Sequence, residues 1–239
     1  MGKIGFAIAK KLASEGASVV VSSRKEQNVE NAVNNLKKLG FENVLGTVCH
    51  VSKKEDRSKL FNKAIEVFGH IDILISNAAV NPVFGLTEEC TDTAWDKIFE
   101  VNVKCPFMLT KEVLPYIRKS DRGTIIYISS IAGLQPFSFL GPYSISKTAL
   151  LGLTKVFAGE LATNNITVNC VAPGIIKTRF SKSLYESEVA YETILSRIPL
   201  NRIGEPDDVS GVVAFLCSAD ARYITGETIV VSGGMQSRL

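Results

Sequence analysis

The feature that most limits the folds open to this chain is an alternation of short apolar runs with longer helical patterns. Runs rich in β-branched residues predict strands at Ser18–Ser22, Asn43–Cys49, Ile71–Ile75, Gly123–Ile128, Thr167–Val171 and Glu227–Val231. Helical patterns separate them at Lys3–Glu15, Glu26–Leu39, Lys53–Phe68, Thr93–Ile117, Tyr143–Ala162 and Pro206–Leu216. Strands that alternate with helices form a parallel sheet covered on both faces. The sequence therefore predicts an α/β fold with a doubly wound parallel sheet, and the lack of a linker or repeat predicts one domain over residues 1–239.

Composition argues against several classes of protein. The chain has 239 residues and a formal net charge of +3, which gives no support for a nucleic-acid partner. It contains no run of ~18 apolar residues, the length that a membrane span requires. The chain has only two histidines, and its cysteines include no Cys-x-x-Cys pair. A metal site or a Ser-His-Asp triad is therefore hard to build. We predict no metal, and buried thiols in a reducing compartment at Cys49, Cys90, Cys105, Cys170 and Cys217.

The start of the chain departs from the usual order of a doubly wound nucleotide-binding domain. Such a domain begins with a strand, which leads through a glycine-rich turn into a helix. Here the helical pattern begins at Lys3, with only Met1 and Gly2 before it. The loss of a central strand would leave a gap of ~9.6 Å, two inter-strand spacings, with unpaired edges on Ser18–Ser22 and Ile71–Ile75. We expect the first strand to be missing through truncation, the alternative being that another segment fills its place.

Two residues one helical turn apart supply the first chemical signal. Tyr143 and Lys147 stand at positions i and i+4 and share one helix face. An ammonium beside a phenol favours the phenolate, and such a phenol can exchange a proton with a substrate oxygen. The alternative is a core tyrosine beside a surface lysine. Ser129 and Ser130 favour the functional interpretation, because they end a strand where doubly wound sheets bind their ligands.

Ser130 stands 13 residues before Tyr143, which begins the segment Tyr143-Ser-Ile-Ser-Lys147. In this order and at this spacing, the serines and the segment resemble the short-chain dehydrogenase/reductase family. The resemblance runs over the whole chain, although Ser76 and Ala79 depart from the family's Asn-Asn-Ala-Gly. It implies a Rossmann-like fold and hydride transfer between a nicotinamide cofactor and a carbonyl or alcohol. The other matching segments are Ser76-Asn77-Ala78-Ala79, Val101-Asn102-Val103, Asn169, Pro173-Gly174-Ile175-Ile176-Lys177-Thr178, Gly204-Glu205-Pro206 and Ile224-Thr225-Gly226-Glu227.

The resemblance also implies roles for single residues. Tyr143 is the general acid/base, and Ser130 orients the substrate carbonyl and stabilises charge on its oxygen. Lys147 holds the nicotinamide ribose and lowers the pKa of Tyr143, while Asn102 positions a water that relays protons to Lys147. The cofactor-binding residues implied in this way are Gly2, Ile4, Ser23, Arg24, His50, Val51, Asn77, Ala78, Tyr143, Lys147, Pro173, Gly174, Ile176 and Thr178.

The residues at the end of the predicted strand Ser18–Ser22, which takes the place of the second strand in the usual order, indicate which cofactor is used. An acidic residue there would bond the ribose 2′-hydroxyl of NAD, whereas an arginine accommodates the 2′-phosphate of NADP. The chain has Ser23 and Arg24, so NADPH is predicted, with an ordinary basic turn as the alternative. Two positions depart from the family. His50 replaces the aspartate beside the adenine, and Lys3 stands where a glycine lets the backbone approach the pyrophosphate.

The tail Ser237-Arg238-Leu239 resembles a peroxisomal address, with an ordinary polar terminus as the alternative. With the motifs above, it resembles one branch of the family, the peroxisomal NADPH-dependent carbonyl reductases. That branch implies ketones, aromatic dicarbonyls and retinal as substrates, and recognition by the peroxisomal import receptor. A cytoplasmic pool is the second expected location. Residues 179–200 are predicted to form an apolar lid over the substrate, and the family implies a homotetramer.

Two classes of function remain open from the sequence. The first is an NADPH-dependent carbonyl reductase, favoured because Asn102, Ser130, Tyr143 and Lys147 all occur together. The second is an N-terminally truncated, non-catalytic protein of the same fold that acts as a subunit or binding partner. The altered turn at Lys3 favours the second class.

Overall fold

The structure is a computed structural model, and it describes residues 2–178, 181 and 187–235. The strands are β1 (Val19–Ser23), β2 (Val44–Val48), β3 (Ile73–Ser76), β4 (Gly123–Ile128), β5 (Ile166–Pro173) and β6 (Thr228–Val231). The helices are α1 (Lys3–Ser14), α2 (Glu26–Lys38), α3 (Lys54–Phe68), α4 (Asp92–Phe99), α5 (Cys105–Ile117), α6 (Gly141–Leu161), α7 (Glu188–Leu195) and α8 (Pro206–Cys217).

The strands form two parallel sheets. β1 pairs with β2, whereas β3, β4, β5 and β6 follow one another in the second sheet. Every pair is parallel, so the carboxyl ends of the strands lie at one edge of each sheet. Within the described ranges no strand joins β1 to β3, and each of the two has the unpaired edge that the sequence predicts. The parallel α/β architecture is as predicted, but the described strands form two sheets instead of one.

Alternate side chains of β4 pack into two different cores, as the two-residue period of a strand requires. Ile125 and Tyr127 pack against α5 and α6. Ile126 and Ile128 face the other way, into a core that α1 and α8 complete. The four side chains are almost completely buried. Helices therefore cover both faces of the larger sheet, which confirms the predicted doubly wound, Rossmann-like arrangement.

Helix α1 packs against both sheets. Its side chains Ile8 and Leu12 lie in the core of the larger sheet. Ala9, with Phe6 packed beside it, belongs instead to the core that β1, β2 and α2 form. Val19 of β1 contacts both cores, so apolar packing connects the two sheets where strand hydrogen bonds do not.

The structure corrects one predicted helix. The pattern over Thr93–Ile117 predicts a single helix, but a π-helical turn at Glu100–Lys104 divides it into α4 and α5. Such turns insert an extra residue into the helix and occur frequently at functional sites. Asn102 lies inside this turn.

Among the residues described, no helix is long and apolar enough to span a membrane. That same part of the chain also contains no group of three potential metal ligands.

Candidate active site

The segment after β4 forms the floor of the site. Ser129 extends the pairing of β4 with β5 by donating its N–H to the carbonyl of Val171 at 2.8 Å. Ser130 is extended, and its Oγ accepts the N–H of Ala132 at 3.1 Å, which starts a short 3₁₀ turn. A β-carbon on Gly133 in this turn would lie 2.7 Å from the carbonyl carbon of Lys147. Only glycine allows α6 to approach the turn this closely.

Helix α6 brings Tyr143 and Lys147 to this floor. The hydroxyl of Ser130 interacts with the Tyr143 phenol and lowers its pKa. The Nζ atom of Lys147 lies 5.6 Å from the centre of the Tyr143 ring and donates to the carbonyl of Ile128 at 2.9 Å. The relative exposures of Tyr143 and Lys147 are only 8% and 2%. The structure therefore brings the buried Tyr143 and Lys147 together with the half-buried Ser130.

Burial controls the ionisation of this cluster. Desolvation raises the pKa of Tyr143 to about 12, and the hydrogen bond with Ser130 opposes part of that rise. Desolvation lowers the pKa of Lys147 to about 8, while the neighbouring thiol of Cys170 opposes part of that fall. The predicted lowering of the tyrosine pKa by Lys147 stays a prediction, and in this structure desolvation makes the net direction upward.

Asn102 is completely buried, and its side-chain amide is engaged by protein groups. Its Oδ1 accepts the N–H of Val80 at 2.8 Å, and its Nδ2 donates to the carbonyl of Val80 at 2.9 Å. The second Nδ2 hydrogen is donated to Ser146 Oγ at 3.0 Å. With both of its N–H groups in use, the amide acts here as a connector between segments of the protein. The predicted water relay stays a prediction.

The residues predicted to bind the adenosine end lie beyond β1 and β2. Arg24 is exposed directly after β1, and Ser23 Oγ accepts weakly from Asn28 Nδ2 at 3.5 Å. His50 donates its backbone N–H to Asp56 at 2.9 Å. Within the described part of the chain, the buried Nδ1 of His50 has no hydrogen-bond partner. Arg57 donates to the carbonyl of Val51 at 2.7 Å and fixes the backbone there.

The remaining predicted cofactor residues follow other strands or begin α1. Gly2 is the N-cap of α1, with Ile4 in the first turn and Lys3 exposed beside it. Asn77 and Ala78 follow β3, and Ala78 is exposed. Pro173 ends β5, and Gly174, Ile176 and Thr178 lie in the loop that follows it. Gly174 donates to Val231 at 2.9 Å, Ile176 is buried, and Thr178 Oγ1 lies 3.1 Å from Ser181 Oγ.

Two predicted regions lie partly or wholly outside the described residues. The tail Ser237-Arg238-Leu239 is not described, and the lid over 179–200 is described only at residue 181 and from Ser187 onward. The described part of the lid includes α7, a helix absent from the predicted set. Sequence reasoning also missed Gly133, Val80 and Ser146, which contact α6 or Asn102. Of these three residues, only Ser146 could have been suspected from the sequence, because it stands immediately before Lys147.

Comparison with known proteins places the chain in a family. The family described as Enoyl-(Acyl carrier protein) reductase matches residues 2–236. Dehydrogenase/reductase SDR family member 4 from Oryctolagus cuniculus is 54% identical over 99% of this chain and 90% of that protein. The Homo sapiens protein of the same name is 54% identical over 99% of this chain and 84% of its own length.

Solved structures agree with the sequence matches. A glucose/ribitol dehydrogenase of the SDR type from Brucella melitensis has a TM-score of 0.91 and 29% identity, covering 98% of this chain and 93% of its own. A 3-ketoacyl-(acyl-carrier-protein) reductase from the same organism, complexed with NADH, has a TM-score of 0.89 and 27% identity, covering 98% of this chain and 94% of its own.

The fold, the Ser-Tyr-Lys cluster and these matches together define the class: the chain belongs to the short-chain dehydrogenase/reductase family of oxidoreductases. Within that family it is similar to dehydrogenase/reductase SDR family member 4, the branch whose motifs its sequence resembles.

Proposed function

We propose that the chain is an NADPH-dependent reductase of lipophilic carbonyl compounds, including ketones, aromatic dicarbonyls and retinal. One observation carries the proposal. Tyr143 and Lys147 are buried on one face of α6, the Ser130 hydroxyl lowers the pKa of the Tyr143 phenol, and the Lys147 ammonium lies 5.6 Å from the tyrosine ring. A proton donor, a hydroxyl for the developing oxyanion and a cation for the cofactor are the groups that carbonyl reduction needs.

The residues present fit a nicotinamide dinucleotide. Among the described groups, the Lys147 ammonium makes one hydrogen bond, which leaves N–H donors for the hydroxyls of a ribose. His50 Nδ1 is buried without a partner and suits an adenine amino group. The exposed Arg24, with Ser23 beside it, suits a 2′-phosphate, because a guanidinium binds phosphate through two parallel hydrogen bonds. NADPH is therefore the proposed cofactor, and it would supply the hydride to the carbonyl carbon.

The chain's own groups would handle the oxygen of the substrate. With its pKa raised to about 12, Tyr143 keeps its proton at neutral pH and can donate it to the carbonyl oxygen as negative charge develops there. Ser130 would donate a second hydrogen bond to the same oxygen. Lys147 would hold the ribose, and its positive charge would stabilise the phenolate that remains after proton transfer. Because the amide of Asn102 is engaged, its main-chain carbonyl is the group proposed to hold a relay water.

An aromatic pair beside the catalytic helix supports a lipophilic substrate. Phe84 and Phe139 are 65% and 49% exposed, and their ring centres lie 5.7 Å apart. Phe139 adopts a φ of +65°, a strained conformation for a bulky residue, four positions before Tyr143. Gly85 donates its N–H to the carbonyl of Phe139 at 3.1 Å, so the two loops are connected. Exposed aromatic surface next to a polar reaction centre suits a flat, apolar carbonyl compound.

The test is NADPH oxidation by the purified chain with carbonyl substrates of increasing apolar size. Tyr143→Phe removes the proton donor but keeps the ring, so the rate should fall by about 10²–10⁴-fold. Phe84→Ala should raise the KM for the larger substrates while leaving small ketones unaffected. Full turnover by the Tyr143→Phe variant would refute the mechanism.

The alternative, a non-catalytic subunit or binding partner, is favoured by the break between β1 and β3 and by Lys3 at the N-terminal turn. The two functions separate experimentally. A subunit would fold and associate without turnover, and its Tyr143→Phe variant would behave like the parent chain.

Assembly and location are further parts of the proposal. Exposed apolar side chains on α5 and α6, Phe107 and Val156, support a homotetramer through these helices, to be tested by light scattering of the purified protein.

Similarity to SDR family member 4, together with the Ser237-Arg238-Leu239 tail, supports import into peroxisomes. Deletion of Leu239 from a fluorescent fusion should leave it in the cytoplasm.

A further inference from the structure

A buried hydroxyl connects the catalytic helix to the π-helical turn. Ser146 lies on α6, immediately before Lys147, and is completely buried. Its Oγ accepts a hydrogen bond from Asn102 Nδ2 at 3.0 Å and donates one to the carbonyl of Tyr143 at 2.7 Å. A single hydroxyl thus contacts both the π-helical turn and the backbone of the tyrosine.

The connection continues from Asn102 to the loop after β3. The amide of Asn102 takes both the N–H and the C=O of Val80, at 2.8 and 2.9 Å. Val80 follows Asn77 and Ala78, which are predicted to contact the cofactor, and precedes Phe84, which is proposed to contact the substrate. Three segments that are distant in the sequence are therefore held in register by one buried amide and one buried hydroxyl.

We propose that Ser146 is a positioning residue, which acts through Asn102 to hold the loop around Val80 against the first turns of α6. This inference rests on the proposed carbonyl reductase activity. The side chain of Ser146 is completely buried, so its proposed role requires no contact with substrate or cofactor. Without its hydroxyl, one Asn102 N–H is left buried without an acceptor, and the amide loses the contact that fixes it relative to Tyr143. The loop and the tyrosine can then move independently, and small displacements of reacting groups reduce catalytic rates strongly.

The chain supplies a matched control on the same helix. Ser144 is also completely buried on α6, but within the described residues its Oγ has no hydrogen-bond partner. Ser144→Ala and Ser146→Ala remove the same atom from the same kind of environment, so only the second variant breaks the connection. Ser146→Cys keeps the volume of the side chain and weakens its hydrogen bonds, which separates bonding from packing.

The experiment compares these variants in turnover and in amide hydrogen exchange. For Ser146→Ala we expect kcat to fall at least tenfold with KM for NADPH changed less than threefold, and for Ser146→Cys a smaller fall in kcat. The N–H of Val80 should exchange at least tenfold faster in Ser146→Ala. Ser144→Ala should match the parent within twofold in both measurements. In an Asn102→Ala background, Ser146→Ala should lower kcat by less than a further twofold, because the connection is already broken.

Two results would overturn the inference: an unchanged exchange rate at Val80, or equal losses of kcat in Ser144→Ala and Ser146→Ala. Absence of turnover in the parent chain would reject the proposed function alone. Exchange at Val80 requires neither cofactor nor substrate, so it would then decide the role of Ser146 by itself.

Discussion

Burial displaces the pKa values of Tyr143 and Lys147 in opposite directions although the two groups are only one helical turn apart. The tyrosine moves up to about 12 and the lysine down to about 8, because a low-dielectric site disfavours the phenolate and the ammonium alike. At neutral pH the tyrosine is protonated and the lysine is largely charged. In the proposed mechanism, Tyr143 would therefore hold the proton that it donates before any substrate binds.

The binding of NADPH should depend on the charge of Lys147. As the pH rises through about 8, the ammonium loses its proton and the ribose loses a charged donor. We expect the Kd for NADPH to rise above that pH by up to about tenfold per pH unit, the limit for one linked proton. Fluorescence titration between pH 6.5 and 9.5 measures this. Lys147→Met should bind more weakly and show no such dependence, and an equal pH dependence in that variant would assign the proton elsewhere.

The stability of the fold should respond to the same lysine. Its folded pKa lies below its unfolded value of 10.5, so the cost of burying the charge is present in full below about pH 8 and disappears as the pH approaches 10.5. Lys147→Met should therefore stabilise the chain at pH 7, and the gain should shrink at higher pH. Denaturant unfolding at pH 7 and pH 10 provides the comparison.

Arg24 should determine the choice between the two nicotinamide cofactors. Its exposed guanidinium follows β1, where an aspartate would instead bond the ribose 2′-hydroxyl. Arg24→Asp is expected to lower kcat/KM for NADPH by about 10–100-fold, the effect of losing one charged phosphate contact of about 1.5–3 kcal/mol. Activity with NADH should rise or stay constant. Arg222→Asp changes an exposed arginine elsewhere on the surface and serves as the control, and an unchanged preference in Arg24→Asp would exclude this arginine as the determinant.

At the scale of elements, the approach of α6 to the turn after β4 depends on Gly133. An alanine there would place its β-carbon 2.7 Å from the carbonyl carbon of Lys147 and 2.9 Å from its oxygen. Both atoms belong to the helix backbone, so the helix itself must shift. Gly133→Ala is expected to lower the free energy of unfolding by about 1–3 kcal/mol. Turnover should fall more than tenfold.

Gly211 on α8 is the matched control for this substitution, because a β-carbon there would meet no atom within 4 Å. Gly211→Ala is expected to stabilise the helix by about 0.5–1 kcal/mol. Chemical denaturation and steady-state kinetics of the two variants suffice. Equal stability of Gly133→Ala and the parent chain would contradict the predicted contact.

The sequence could predict those parts of the site that depend on local spacing. Tyr143 and Lys147 share a helix face by periodicity, and Ser130 follows closely after a strand that is rich in β-branched residues. The π-helical turn at Glu100–Lys104 has no such signature, because one extra residue in a helix leaves the apolar pattern almost unchanged. Along the chain, Asn102 lies 22 residues from Val80 and 44 residues from Ser146, so only the folded structure brings these hydrogen-bond partners together.

At the scale of the whole molecule, the predicted cofactor residues are divided between the two sheets. Ser23, Arg24 and His50 lie at the ends of the strands of the smaller sheet, whereas Tyr143 and Lys147 lie on α6, which packs on the larger one. NADPH should therefore raise the midpoint of thermal unfolding, by the equivalent of about 2.7 kcal/mol at a concentration of 100 times Kd. Adenosine 2′,5′-bisphosphate, which can contact only the first group, should protect less. An unfolding midpoint indifferent to NADPH would reject a formed cofactor site in this chain.

The separation between β1 and β3 has a consequence for the way the molecule comes apart. Hydrogen bonds between neighbouring strands make a sheet open as one unit, and among the described strands they stop at this boundary. Side-chain packing, with α1 shared by both cores, is what connects the part made of β1, β2 and α2 to the rest. The first part should open at a lower free energy, as a sub-global event, while β4 and β5 retain protected amides. In the resting molecule, the part proposed to select the cofactor would then be the more readily opened half, and the part proposed to perform the chemistry the more durable one.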